Sequence, residues 1–183
     1  MGIIKGLLKL VGIVVIVIVV AVFGTLTAAR FADGPWAIIA GGSFSSGEVV
    51  TTEPDWSFIK DVGEVQFELE VTGRSRTSWV MEHEGRVFIP SGYMNSTVGK
   101  IWKHWPYDAE KDGRILLRVD GKIYPRNMRR VMQDDPDMPY VLGEVARKYL
   151  PQMQASADGG LEDGLNQIAT GNLWVFELLP RDA

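Results

Sequence analysis

The run 93–107, YMNSTVGKIWKHWPY, concentrates aromatic and charged side chains in one short segment. It contains two tryptophans, two tyrosines, two lysines and His104. Aromatic rings that alternate with cations can stack a planar ligand, or they can lie at a membrane interface. A structural alternative stays open, in which 98–105 is a short helix that packs its apolar side chains on the rest of the domain.

Candidates for acid–base chemistry are few, since the chain has only two histidines, His83 and His104. His104 is the better candidate for a proton donor because it lies among the aromatic residues of 93–107. The alternative for both histidines is that they have no chemical role and are simply exposed or hydrogen-bonded within the fold. Neither histidine has carboxylates at ligand spacing, so we predict no metal site. No nucleophile-elbow motif is present, and the catalytic residues are therefore unknown apart from the candidate His104.

The composition excludes several classes of function. The chain has no cysteine, which rules out disulfides, thiolate catalysis and cysteine-ligated metals. Sixteen of the 19 Lys and Arg residues and all 23 Asp and Glu residues follow residue 30, so that part carries a net charge of −7. A domain of this sign is a poor match for a phosphate backbone, and we expect no nucleic-acid partner.

The twenty residues 10–29 carry no charge, and as a helix they would span about 30 Å, the hydrocarbon thickness of a bilayer. Lys5 and Lys9 precede this stretch, which favours an inside N-terminus. We therefore predict a single-pass protein of the inner (cytoplasmic) membrane with its domain on the periplasmic or extracellular side. A signal peptide cleaved after Ala29 is the alternative, and it exports the same domain.

Three segments follow from this pattern: an N-terminal anchor at 1–30, an anchor-proximal linker at 31–60 and a folded domain at 61–183. A free linker would not be rich in aromatic residues, so we expect 31–60 to lie on the domain or on the membrane surface. Its aromatic residues are Trp36, Phe44, Trp56 and Phe58.

The folded domain shows mainly strand patterns. Apolar and polar residues alternate over 64–71, which is typical of a half-buried antiparallel strand. The runs 77–83 and 86–90 flank Glu84-Gly85, a predicted hairpin turn. The runs 114–119 and 122–124 flank Asp120-Gly121, the dipeptide type that favours a tight type I′ turn, and 127–132 continues the second of these strands.

The C-terminal part adds one helix and a last strand. Val141, Leu142, Val145, Tyr149 and Leu150 recur at helical spacing after Pro139, and Pro151 ends the helix. Residues 152–170 are small and polar, with one further short helical turn, and 173–179 is an apolar strand. A small antiparallel barrel with an appended helix is the simplest arrangement that removes strand edges.

The stretches VTGRSRTSWVMEHEGRVFIPSG, KIWKHW and DGRILLRVDGKIYPRNMRRV resemble the split β-barrel flavin- and deazaflavin-binding proteins. That superfamily includes pyridoxamine-phosphate oxidase-like proteins and deazaflavin-dependent nitroreductases. The resemblance covers roughly 64–132. The chain is also similar to a group of uncharacterised membrane-anchored bacterial proteins with a DGP…GG…DWSF opening. The resemblance implies a mostly β (α+β) fold, a six-stranded split β-barrel with one appended helix behind the membrane helix.

The resemblance also implies a cofactor site, whose phosphate is held by cations and hydroxyls of the first hairpin and the segment after it. The matching phosphate-binding positions are Arg74, Arg76, Thr77, Ser78, Ser91 and Lys100. Aromatic walls for a flavin-type ring would come from Trp79, Trp102 and Trp105. For Arg74 and Arg76 the alternative to phosphate binding is ion pairing with Glu68, Glu70 or Glu82. A second group of arginines could contact a phosphate or a partner, or could simply form a solvated strand face: Arg126, Arg129 and Arg130.

Two hypotheses for the function stay open. One is a redox enzyme that resembles split-barrel reductases, binds FMN or a related flavin and reduces a quinone or a small electrophile. The other is a cofactor-free accessory or binding subunit that engages a membrane protein partner, since no convincing catalytic group is apparent. Some split barrels bind haem, and many build their site across a two-fold axis, so the resemblance also implies a homodimer.

Overall fold

The computed structural model describes residues 2–149 and 157–181, with Val98, Trp102 and 157–159 described by their backbone alone. The helices are α1 Gly2–Arg30, a 3₁₀ helix Trp56–Asp61, α2 Thr97–Trp102, α3 Trp105–Lys111, α4 Met138–Tyr149 and α5 Ala157–Ala169. The strands are β1 Glu48–Val49, β2 Glu64–Leu69, β3 Arg74–Trp79, β4 Met81–His83, β5 Arg86–Ser91, β6 Arg114–Val119, β7 Lys122–Val131 and β8 Trp174–Pro180.

The strands form one curled sheet in the order β3-β2-β6-β7-β8-β5-β4, with β1 pairing in parallel to β7. The end strands β3 and β4 are joined by the single residue Val80. One residue cannot cross a flat sheet of seven strands, so the sheet must bend until its two ends meet. All pairings in this order are antiparallel. The predicted α+β split barrel is confirmed, with six long strands and two short ones.

The alternation predicted in 64–71 is confirmed by β2, whose residues Val65, Phe67 and Leu69 are buried in the barrel. Each such side chain stabilises the fold by roughly 1.5–3 kcal/mol. Glu68 is also buried, because its carboxylate accepts the Phe44 N–H at 2.6 Å. The anchor-proximal segment therefore supplies the hydrogen bond that lets a charge lie in this strand.

Both predicted hairpin turns are confirmed. Glu84 and Gly85 have φ of 49° and 80°, and Asp120 and Gly121 have φ of 49° and 75°. Positive φ at both central residues defines the type I′ geometry, whose twist matches the strands on either side. The run 77–83, however, is not one strand: it is divided at Val80, where the chain passes from one end of the sheet to the other.

The helical content exceeds the prediction of one appended helix. The predicted helix is α4, which buries Val141 and Leu142 against the outer face of the sheet. The single turn predicted within 152–170 is instead the thirteen-residue helix α5, which buries Ile168 in the same cluster. Leu150 and Pro151, which were predicted to end the first of these helices, lie outside the described residues.

Within the described residues, one helix, Ile3–Arg30, is long and apolar enough to cross a membrane, judged by length and composition. Its end packs on the segment that follows it, and this segment is joined to β3 by the bridge between Gly41 and Ser75. Ala29 is fully buried, and a Cβ at Gly42 would lie 2.4 Å from the Arg30 carbonyl oxygen, so backbone packs on backbone there. The Arg118 side chain fixes the next segment through the Asp33 carboxylate at 2.9 Å and the Phe44 ring at 4.0 Å.

Candidate ligand-binding site

A cavity of about 570 Å³ lies where the end of α1, strand β3 and the segment after β5 meet. It is called here the arginine cavity. Six of the nine residues predicted for a cofactor site line it together: Arg74, Arg76, Thr77, Ser78, Ser91 and Trp105. Its other lining residues are Leu26, Ile38, Ile39, Ala40, Phe67, Pro90, Ile101 and Lys103. The structure therefore brings both predicted arginines and the three predicted hydroxyl residues to one cavity.

Arg76 carries the main electrostatic feature of the cavity. It lies on β3 opposite the buried Phe67 of β2. Its Nη1 atom is buried, and it has no hydrogen-bond partner among the described residues. Burial, and then the charge of Arg74, lower the pKa of Arg76 to about 10. A cation in this state would gain both a hydrogen bond and charge compensation from an anionic ligand.

The predicted alternative, ion pairing of these arginines with glutamates, is wrong for the described residues. Glu70 instead pairs with Arg181 at 2.9 Å. Glu82 lies 3.4 Å from the Lys60 amine and accepts the Gly85 N–H. Glu68 is engaged with the Phe44 backbone, as described above.

Arg74 is held by an uncharged partner. Its guanidinium Nη2 donates to the Ala40 carbonyl at 3.0 Å. Burial, and then the charge of Arg30, lower the pKa of Arg74. No carboxylate of the described residues hydrogen-bonds Arg74 or Arg76, and the charge of Asp108, which acts to raise the pKa of Arg76, is a smaller influence than burial and the charge of Arg74.

The lysine of the cavity is Lys103 rather than the predicted Lys100. Lys100 is exposed on α2 and does not line the cavity. Lys103 follows the last residue of α2, is partly buried, and donates from Nζ to the Gly92 carbonyl at 2.9 Å. Burial lowers its pKa. Trp102 was also predicted for this site, but its side chain is not among those that the structure describes.

A second cavity of about 840 Å³ adjoins the first and shares Thr77, Ser78, Pro90 and Lys103 with it. It lies between the outer face of the barrel and helices α4 and α5, and it is called here the helix cavity. Its walls are mostly apolar and include Trp79, Tyr93, Leu142, Val145, Ala146, Leu161 and Leu173. The arginine cavity, which is lined by cations, therefore lies beside the mostly apolar helix cavity.

Helix α4 fixes the wall between β3 and β4. The Tyr149 ring stacks on Trp79 with centroids 4.3 Å apart and planes 3° from parallel. The Tyr149 hydroxyl accepts the Val80 N–H at 2.9 Å and donates to the Gly63 carbonyl at 2.6 Å. The Lys148 amine donates to the Val80 carbonyl at 2.7 Å. Val80, the single residue that joins β3 to β4, is therefore held by α4 from the outer side of the barrel.

Other residues considered from the sequence lie away from these cavities. His104 is the exposed residue directly before α3 and lines neither cavity, and His83 stacks on Tyr140 at 4.4 Å. The three arginines of β7 all form ion pairs: Arg126 with Glu53, Arg129 with Glu177 and Arg130 with Glu110. Within residues 2–149 and 157–181, no group of three or more His, Asp or Glu side chains could hold a metal ion.

No family model matches the sequence, and no curated protein matches it. The chain is similar to solved structures at low identity. One is the conserved hypothetical protein Rv2991 from Mycobacterium tuberculosis, at 10% identity and a TM-score of 0.45, covering 76% of this chain and 85% of that one. Another is a putative pyridoxamine 5′-phosphate oxidase from Listeria innocua, at 9% identity and a TM-score of 0.39, covering 69% and 90%.

A third similar structure is HutZ, named as a heme storage protein, from Vibrio cholerae, at 10% identity and a TM-score of 0.40. The similarity covers 93% of HutZ and 73% of this chain.

Proposed function

We propose that this chain is a membrane-anchored split-barrel protein that binds a phosphate-bearing cofactor of the flavin type. The observation that carries the proposal is the buried guanidinium Nη1 of Arg76, which has no partner among the described residues, on a side chain that lines the arginine cavity. Leaving such a donor unpaired costs free energy, so its presence is best explained by a ligand that pairs with it.

The donor set fits a phosphate. Arg76 offers a planar fork, Lys103 a compact cation, and Thr77, Ser78 and Ser91 offer hydroxyl donors on adjoining strands. Charged donors of this type form their strongest hydrogen bonds with anionic acceptors such as phosphate or carboxylate. The net positive charge of the arginine cavity would therefore select anionic groups and reject cations.

The helix cavity fits a flat ring system. The helix cavity offers Trp79, Tyr93 and Leu142 as walls, and its volume lies within the range of known cofactor and ligand sites. A bound flavin would supply hydride transfer, with a quinone or small electrophile as the acceptor. The residues of this chain bind the cofactor, orient it through Arg76 and exclude water from the helix cavity.

The membrane location is part of the same proposal. Helix α1 crosses the inner membrane with its N-terminus inside, and the barrel lies on the periplasmic or extracellular side. The hydroxyls of Thr25 and Thr27 donate to the carbonyls of Ala21 and Phe23, so they do not remain unpaired in lipid. Tethering would place the site beside acceptors dissolved in the membrane.

The test is a titration of FMN into detergent-purified full-length protein, followed by flavin fluorescence. Arg76→Ala is expected to weaken binding by about 10- to 100-fold, because a hydrogen bond to a charged group contributes roughly 1.5–3 kcal/mol. Lys103→Ala should weaken binding in the same direction. Lys100→Ala is the matched control, since this lysine is exposed outside the cavity, and it should leave the affinity unchanged.

Two results would contradict the proposal. If the wild-type protein does not bind FMN, the cofactor-free accessory subunit becomes the better hypothesis, and a membrane protein partner should be sought. If FMN binds but Arg76→Ala and Lys100→Ala have equal effects, the cofactor does not use the arginine cavity.

A further inference from the structure

Three large aliphatic side chains at the rim of the arginine cavity are exposed. Leu26, Ile38 and Ile101 line the same cavity as Arg76, and 41%, 88% and 71% of their surfaces are exposed. Leu26 belongs to α1, Ile38 to the segment that follows it, and Ile101 to α2. Three separate parts of the chain therefore contribute exposed apolar surface at one place, which is typical of an interaction surface.

The position of Leu26 sets the level of this rim relative to a bilayer. It lies four residues before Arg30, the last residue of α1, which is about 6 Å along the helix axis. The headgroup layer on each side of a bilayer is about 5–8 Å deep. If α1 spans the membrane, the rim of the cavity lies at the boundary between hydrocarbon and headgroups.

The junction between helix and barrel leaves little freedom to lift the barrel away from this level. Ala29 is buried, and the backbone of Arg30 packs on Gly42. The neighbouring Gly41 bridges to Ser75 of β3, so the helix end is joined to the barrel through this packed segment. A tight turn then follows, in which the N–H groups of Trp36 and Ile39 each donate to the other's carbonyl, at 3.0 and 2.9 Å. This turn presents Ile38 outward beside α1.

Two exposed aromatic residues extend the same surface. Phe31 directly follows α1, and Trp36 begins the turn that carries Ile38. Aromatic side chains favour the membrane interface, where an apolar ring and a polar edge can both be satisfied. The surface formed by Phe31, Trp36, Ile38 and Ile101 is called here the seating surface.

We infer that the barrel rests on the bilayer through the seating surface, so that the arginine cavity opens at lipid level and takes its second reactant from the membrane. The partner of this surface is the lipid bilayer, because the surface is continuous with the helix proposed to span it. A molecule that partitions into the bilayer would reach the cavity past Leu26, Ile38 and Ile101 without crossing water. This inference rests on the membrane span in the proposed function.

The chain has no cysteine, so single cysteines can be introduced for spin labelling without removing any native residue of that type. Full-length protein would be labelled at Ile38→Cys or Ile101→Cys and reconstituted into phosphatidylcholine–phosphatidylglycerol vesicles. Power-saturation EPR then compares collisions with oxygen, which concentrates in lipid, and with a nickel chelate, which stays in water. Glu84→Cys, in the exposed β4–β5 turn at the end of β5 away from Ser91, is the aqueous control.

We expect oxygen to relax the labels at positions 38 and 101 more effectively than the nickel chelate, and the reverse at position 84. A label at Ile16→Cys, in the middle of α1, tests the span itself. If position 16 reports lipid while positions 38 and 101 match position 84, the seating surface is refuted and the span stands. If position 16 reports water, the membrane part of the proposed function fails as well.

Discussion

Replacement of Arg76 by methionine should stabilise the protein in the absence of ligand. The wild-type side chain keeps Nη1 buried without a partner, while methionine fills a similar length with no polar atom. An unpaired buried donor costs about 1–3 kcal/mol, so Arg76→Met should raise the free energy of unfolding by about that amount. For a chain of this size, the melting temperature would increase by about 2–10 °C.

The assay is thermal unfolding of full-length protein in detergent and phosphate-free buffer, with and without FMN. Arg74→Met is the matched control, because Arg74 donates to the Ala40 carbonyl and its loss should lower stability slightly. With FMN at about 100 times its Kd, the wild-type protein should gain about 2.7 kcal/mol, and Arg76→Met much less. A lower melting temperature for Arg76→Met in the absence of ligand would refute the reasoning, since it would mean that the guanidinium already has a partner.

Two further predictions concern the elements that hold the barrel. Tyr149→Phe leaves the Val80 N–H without its acceptor and should lower the free energy of unfolding by about 1–3 kcal/mol, as measured by chemical denaturation; a neutral effect would show that the clamp on Val80 is not needed. The Ser46 hydroxyl, followed by the Ser45 N–H and Arg118, lowers the pKa of Asp33 to about 2, so its stabilising effect is present above about pH 4 and is lost as the pH falls through 2. The melting temperatures of the wild type and Asp33→Asn should therefore differ at pH 6 and converge towards pH 2, and a constant difference would contradict this assignment.

The strands that depend on local pattern could be predicted from the sequence. Alternation identified β2, and the dipeptides Glu84-Gly85 and Asp120-Gly121 identified both turns, because the period of side chains and the sign of φ are local properties. The division at Val80 could not be predicted, since it depends on where two distant ends of a sheet meet. Helix α5 was missed because its glycines disfavour a helix, and packing of Ile168 against α4 overrides that preference.

The site was predictable in part for a related reason. Arg74, Arg76 and Ser78 are spaced two residues apart on β3 and so share one face, and one correct strand therefore brings them to one cavity. The resemblance implies Lys100, whereas Lys103 lines the cavity, since this depends on where α2 ends and how it packs. Only tertiary packing decides that Lys100 stays on the outer face while Lys103 reaches the Gly92 carbonyl.

The place of β8 in the sheet has a consequence for the order of folding. This strand lies between β7 and β5, and it pairs Phe88 with Glu177 and Ser91 with Trp174. Until it arrives, β4 and β5 have no connection to the rest of the sheet except through Val80, and the edges of β5 and β7 stay open. Such non-local pairing slows folding and leaves strand edges available for aggregation. In the proposed orientation the N-terminus stays inside and the residues after α1 cross the membrane first, so the exported domain would depend on chaperones until its last strand has emerged.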